Sequence, residues 1–165
     1  MIKHPITKTI NGDEIFVDLI KSPAAITIAR QPHMLNLAKE LIQTLNLKGK
    51  NTTIEFDMGR NIGNCEIVET TEKDYIIYAK PLHQKDFKRF VRRRSPEQTR
   101  FITITLHFHE SGVYELHDAI FGRNTPGLPG SDTETAKSRA FWEAHAIALD
   151  GHPLQSQTIT TSCPY

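Results

Sequence analysis

The sequence predicts an α+β fold, an antiparallel sheet with about three helices packed on it around a single layer-pair core. Turn residues flanked by alternating apolar positions occur at Asn11-Gly12-Asp13 and Glu110-Ser111-Gly112, the pattern of two hairpins. Between them Met34, Leu37, Ala38, Leu41, Ile42 and Leu45 recur at helical spacing. A chain of 165 residues is long enough to bury a core, roughly 70% of its unfolded surface at this size. One domain is expected over positions 1–150, followed by a polar tail over 151–165.

In chain order, Ile6–Ile10 and Glu14–Ile20 flank the first turn, where Asn-Gly tolerates positive φ. After Ser22-Pro23 a short apolar strand is expected from Ala24 to Ala29. A helix opens near Pro32, and Gly49 ends it. Thr52–Met58 alternates as a strand, Gly59–Asn64 is a turn without phosphate-loop spacing, and Cys65–Thr70 is another strand. Tyr75–Lys80 is apolar enough to be buried on both faces, and Pro81 stops it. A basic helix is expected from His83 to Arg94, broken by Ser95-Pro96. Phe101–His109 and Val113–Phe121 form the second hairpin. Beyond the loop Gly122–Gly130, Ser131-Asp132-Thr133-Glu134 has capping-box spacing and opens a helix carrying Phe141, Trp142 and His145. The Thr- and Ser-rich tail is expected to be poorly ordered.

Global charge names no partner, since 20 basic and 19 acidic residues leave a net +1. Hydrophobic content of 38% with 24% charged residues is globular rather than disordered. No segment approaches the roughly 18 apolar residues of a membrane span, and no signal-peptide run opens the chain. Cys65 and Cys163 lack metal-ligand spacing and are expected to be free thiols. No membrane partner and a cytoplasmic location are therefore expected.

The hairpin from Phe101 to Phe121 sorts its residues by face. A loop at Glu110-Ser111-Gly112, with Gly112 left-handed, sets His107 opposite Glu115 and Thr105 opposite His117. Ile102, Ile104, Leu106, Phe108, Tyr114, Leu116 and Ile120 then make the core face. A one-residue slip would mix apolar and charged residues on both faces. The other face carries Thr103, Thr105, His107, His109, Glu115 and His117. A solvated sheet face accounts for that pattern without any function. A metal site there is the weaker alternative, because three imidazoles must converge on one ion, and no metal ligand is assigned.

Lys80, His83, Lys85, Lys88, Arg89, Arg92, Arg93 and Arg94 lie close together, opposed only by Asp86. A solvated helix interleaves both signs, and this segment does not, which favours a polyanion such as RNA as partner. An acidic protein is the alternative partner. His145, beside Phe141 and Trp142, is either a core histidine or an acid–base group.

Residues Asn61 to Asp150 carry a set of short motifs. They are Tyr78-Ala79-Lys80, Arg89-Phe90-Val91, Thr103-Ile104-Thr105, Tyr114-Glu115-Leu116, Gly122, Pro126–Pro129, and Ser138 through Phe141-Trp142 to His145-Ala146. In these the chain resembles a widespread family of small bacterial proteins of uncharacterised function, a resemblance that implies no activity. More remotely, the order of basic segment and antiparallel sheet is similar to the barnase/EndoU/colicin/RelE group of metal-independent ribonucleases. That analogy implies an RNA-directed, toxin-like ribonuclease without cofactor. It would assign His83 and His145 to acid–base roles, Arg92 and Arg93 to phosphate, and a hydroxyl role to Thr103. Lys80, Lys85, Lys88, Arg89 and Arg94 would then grip the nucleic acid. A non-catalytic nucleic-acid or acidic-protein binding module is the rival from another class.

Overall fold

The computed structural model describes residues 1–81, 84–150, 154 and 156–165. In chain order the elements are β1 (Lys3–Lys8), β2 (Glu14–Asp18), α1 (Pro23–Arg30), α2 (His33–Ile42) and β3 (Thr52–Asp57). Then come β4 (Gly63–Cys65), β5 (Ile67–Glu69), β6 (Ile76–Pro81), β7 (Lys88–Val91) and β8 (Glu97–Thr99). The last are β9 (Phe101–Glu110), β10 (Val113–Phe121), α3 (Ser138–Ala144), β11 (His145–Ala148) and β12 (Ser156–Thr160). The class is α+β, as the sequence predicts, but the sheets are mixed rather than purely antiparallel, because β2 runs parallel to β10 and β7 parallel to β11. No helix among the described residues is long and apolar enough to cross a membrane. Cys65 and Cys163 are free thiols.

The chain divides into two compact units, Met1–Gly63 with Thr99–Arg123, and Asn64–Gln98 with Asn124–Tyr165. The first holds a five-stranded sheet in the order β1-β2-β10-β9-β3. Ala24 of α1 and Met34, Ala38 and Ile42 of α2 pack with Ile15, Val17, Ile102, Ile104, Leu106 and Leu116 in one core. The second holds a sheet in the order β12-β6-β7-β11-β5. Apolar residues cover both of its faces, with Ile77, Phe90 and Trp142 in one cluster and Val68, Val91 and Ala148 in another.

Several local expectations are corrected by long-range packing. Ala24–Ala29 lies in helix α1, not a strand: Pro23 occupies the first turn, where its missing N–H costs nothing, and outweighs the β-branched Ile26, Thr27 and Ile28. Helix α2 ends at Ile42 rather than near Gly49, although Leu45 still packs on the core. The segment expected as a basic helix contains strand β7, held between β6 and β11. Phe90 and Val91, adjacent in sequence, are buried on opposite faces of it, which a strand allows and one stripe of a helix does not. His83 lies outside the described residues.

The capping-box segment is a loop. Ser131 Oγ donates to Leu128 O at 2.6 Å, Glu134 pairs with Arg139, and the helix starts only at Ser138. It ends before His145, which opens β11. In the expected tail, residues 156–160 form β12, antiparallel to β6.

Arg94 closes the β7 turn by reaching Asp74 at 3.1 Å and Glu97 at 2.8 Å. The Thr71 amide, and then Arg94, hold the Asp74 carboxyl below its ordinary value against the opposing effect of burial. A carboxyl with a depressed folded pKa contributes stability above its unfolded value of about 3.9 and loses it as pH falls through the folded value. Asp74→Asn should therefore have a lower denaturant midpoint than the parent at neutral pH, and the two should converge below about pH 4. A gap of constant size from neutral pH into acid would refute that assignment.

Candidate metal centre

The β9–β10 hairpin builds the site. Glu110 pairs with Val113, so the loop is Ser111-Gly112 rather than the three residues expected; Gly112 takes φ +75°, and a register shift between Val113 and Tyr114 keeps His107 opposite Glu115. A bulge between Leu116 and Asp118 then moves the register, so that Thr105 faces Asp118 instead of His117. The bulge has two effects. Ala119 and Phe121 take the core positions while Ile120 leaves them, and His117 is left over the ring of its neighbour on β9.

His107 and His117 stack with centroids 3.9 Å apart and planes 12° apart. Glu115 Oε1 lies 3.1 Å from His117 Nδ1 and 3.9 Å from His107 Nδ1. One ligand atom from each residue lies within 4.8 Å of both others. Tetrahedral coordination at about 2.0–2.1 Å from a zinc-sized ion sets its ligand atoms roughly 3.4 Å apart. The three ligand atoms thus lie close to the spacing that one ion requires, without being at it. Burial, then the neighbouring His117, hold His107 below the usual imidazole value against the pull of Glu115. Its ring is neutral at pH 7, the form that offers a lone pair.

The carboxylate is positioned from behind. Ser22 Oγ donates to Glu115 Oε2 at 2.7 Å, leaving Oε1 toward the rings. Ser22 is itself buried, and its Oγ accepts the Asp18 amide at 3.0 Å. Asp18 ends β2 in a turn, where its Oδ1 accepts the Ile20 amide at 3.0 Å and the Lys21 amide at 3.3 Å. Burial alone would raise the Asp18 carboxyl, but the amides of Ile20, Lys21 and Ile2 outweigh it and lower it. A turn thus orients a hydroxyl, and the hydroxyl orients a carboxylate, the outer support that metal ligands characteristically have.

Other members of the expected polar face go elsewhere. His109 Nε2 lies 3.2 Å from Lys3 Nζ, and since an ammonium only donates, that nitrogen accepts. Thr105 Oγ1 meets Thr53 Oγ1 at 3.2 Å. Thr103 is buried and donates to Gly122 O at 2.9 Å. Phe108, expected in the core, is 41% exposed.

In the second unit, His145 is held in the framework. Its ring stacks on Phe141 at 4.0 Å, its Nδ1 lies 2.9 Å from Phe141 O, and its carbonyl accepts Arg89 Nη1 at 2.8 Å. Arg89 Nη1 also reaches Thr70 Oγ1 at 3.0 Å. Lys85 pairs with Asp132 at 2.9 Å, Lys80 lies over the Phe87 ring, and Lys88 is half-buried in β7. Arg92 and Arg93 are exposed, Arg92 over the Tyr75 ring and Arg93 in a left-handed turn at φ 58°. The imbalance of the basic run is thus compensated in part, at Lys85 and Arg94, by Asp132, Asp74 and Glu97, all three outside the run's own stretch of sequence.

The alternation in β9 and β10 marked His107, Glu115 and His117 as neighbours. Ser22 carried no such signal, because its partner is 93 positions away. No family model matches the chain, and no curated protein or solved structure matches it.

Proposed function

We propose that this chain binds a divalent transition metal of the zinc class through His107, Glu115 and His117. The convergence of two imidazoles and a hydroxyl-supported carboxylate on one sheet face supports this. Imidazole with carboxylate suits zinc and its neighbours in the first transition row rather than calcium or magnesium. Three protein ligands leave a position for water, the pattern of catalytic rather than structural zinc sites. A metal held by His107, Glu115 and His117 would supply Lewis-acid activation of water, so metal-assisted hydrolysis would be the chemistry open to it. Calorimetric titration of chelator-treated protein with Zn²⁺ should give one saturable site per chain. Its affinity should weaken as pH falls, because protons compete with the metal for its ligand groups. Absence of saturable binding at neutral pH would overturn the proposal.

A second function, nucleic-acid binding, is favoured by exposed Arg92 laid over exposed Tyr75 with Arg93 beside it. Such an arginine–aromatic pair is a stacking platform for unpaired bases. Replacing Arg92 and Arg93 by Ser should weaken single-stranded RNA binding and flatten its dependence on salt, since fewer counterions are released. Equal affinity and equal salt slope in parent and variant would leave these arginines as solvated charges.

A further inference from the structure

A cavity of about 120 Å³ lies in the second unit, lined among others by Tyr78, Arg89, Arg139, Trp142 and Tyr165. Among the described residues, two buried side-chain polar atoms have no hydrogen-bond partner, Arg89 Nε and Tyr165 Oη. Both belong to residues lining this cavity. Unpaired buried polar atoms are rare in native proteins and point to a bound water or ion.

The chemistry of the lining selects between those two. Arg89 carries only donors, and its orientation is fixed because Nη1 is held by Thr70 Oγ1 and His145 O. Burial pushes the Tyr165 phenol up to about 12, so it stays protonated and can donate. Arg139 adds a second guanidinium, over the Tyr165 ring at 5.9 Å, with its Nε held by Glu134. Trp142 Nε1 donates to Pro126 O and leaves its ring as an apolar wall. Glu143 is the one acidic side chain in the lining; it is exposed, four residues after Arg139 on α3. Tyr78, also in the lining, shares a side-chain hydrogen bond with Arg89, yet Arg89 Nε and Tyr165 Oη stay without a partner beside the cavity. The cavity of about 120 Å³ has room for a tetrahedral oxyanion.

We infer that this cavity is an oxyanion site, taking a phosphate group against Arg89, Tyr165 and Arg139. The phosphate is either the free ion or the head of a phosphomonoester whose body stays outside. This site lies in the second unit and is independent of the metal centre.

The test is calorimetry and thermal denaturation of the full chain with inorganic phosphate, with phenyl phosphate, and with chloride as control. Saturable binding and a raised melting temperature are expected for phosphate and not for chloride. Arg89→Lys should weaken binding at least about tenfold, because a point charge replaces a fixed fork of donors. Since Arg89 also supports the fold, Tyr165→Phe is the cleaner variant. It removes only the unpaired hydroxyl, so the ligand-free protein should melt no lower while the phosphate-induced shift shrinks. Binding of the ion alone supports the site with a free anion as its ligand; binding of both supports it with a phosphomonoester. No saturable binding of either, or a full phosphate shift retained by Tyr165→Phe, would overturn it.

Discussion

Replacing His107 or His117 by Ala should reduce Zn²⁺ affinity by about a hundredfold or more. Loss of an outer support alone typically costs about 10–100-fold, and these residues hold the ion directly. Each removal leaves one imidazole and Glu115, two ligand groups in place of three. Ser22→Ala should fall inside that 10–100-fold range, because Glu115 keeps its charge but loses the 2.7 Å bond that aims Oε1 at the rings. The order His117→Ala worse than Ser22→Ala, with His109→Ala near the parent, is specific to the proposed site. His109 serves as the internal control, since it faces Lys3 and Phe16. Calorimetric titration of the parent and the four variants measures all of this, and an affinity lost equally on replacing His109 would mean that the wrong imidazoles have been assigned.

Leu116→Ala should destabilise the chain by roughly 2–5 kcal/mol, the cost of lost burial plus a residual cavity. Leu116 has no exposed surface and packs in the core of the first unit with Ile104 and Leu106. Phe108→Ala should cost far less, on the order of 1 kcal/mol, because Phe108 is 41% exposed near the hairpin end and packs edge-on against Tyr114. The two residues lie on the same apolar alternation, so the contrast separates burial from pattern. Equal shifts in denaturant midpoint would contradict the packing described.

Where a strand partner is close in sequence, the residues alone foretold the geometry. His107 pairs with Glu115 and Gly112 takes positive φ as expected, although the loop closes at Ser111-Gly112, with Glu110 paired to Val113 and a register shift after it. Where the partner is distant, they did not. Lys88-Arg89-Phe90-Val91 reads as a helix side in isolation and is a strand because β6 and β11 flank it. Even within the β9–β10 hairpin the bulge after Leu116 was not foretold, and it exchanged Ile120 for Ala119 in the core, though the apolar alternation favours Ile120. The acids that compensate Lys85 and Arg94 could not be paired with them from spacing, since Asp132 and Asp74 are 47 and 20 positions away.

By itself, then, the sequence determined the α+β class, the two hairpin turns and the facing of His107 and Glu115. Each follows from backbone dihedral preference and side-chain alternation between residues a few positions apart. The tertiary structure alone decided the stacking of His117 on His107, the support of Glu115 by Ser22, and the strand in place of the basic helix. Those depend on which distant segments share a sheet, and the free energy of that choice lies in burial and hydrogen bonds between segments, not in any local propensity.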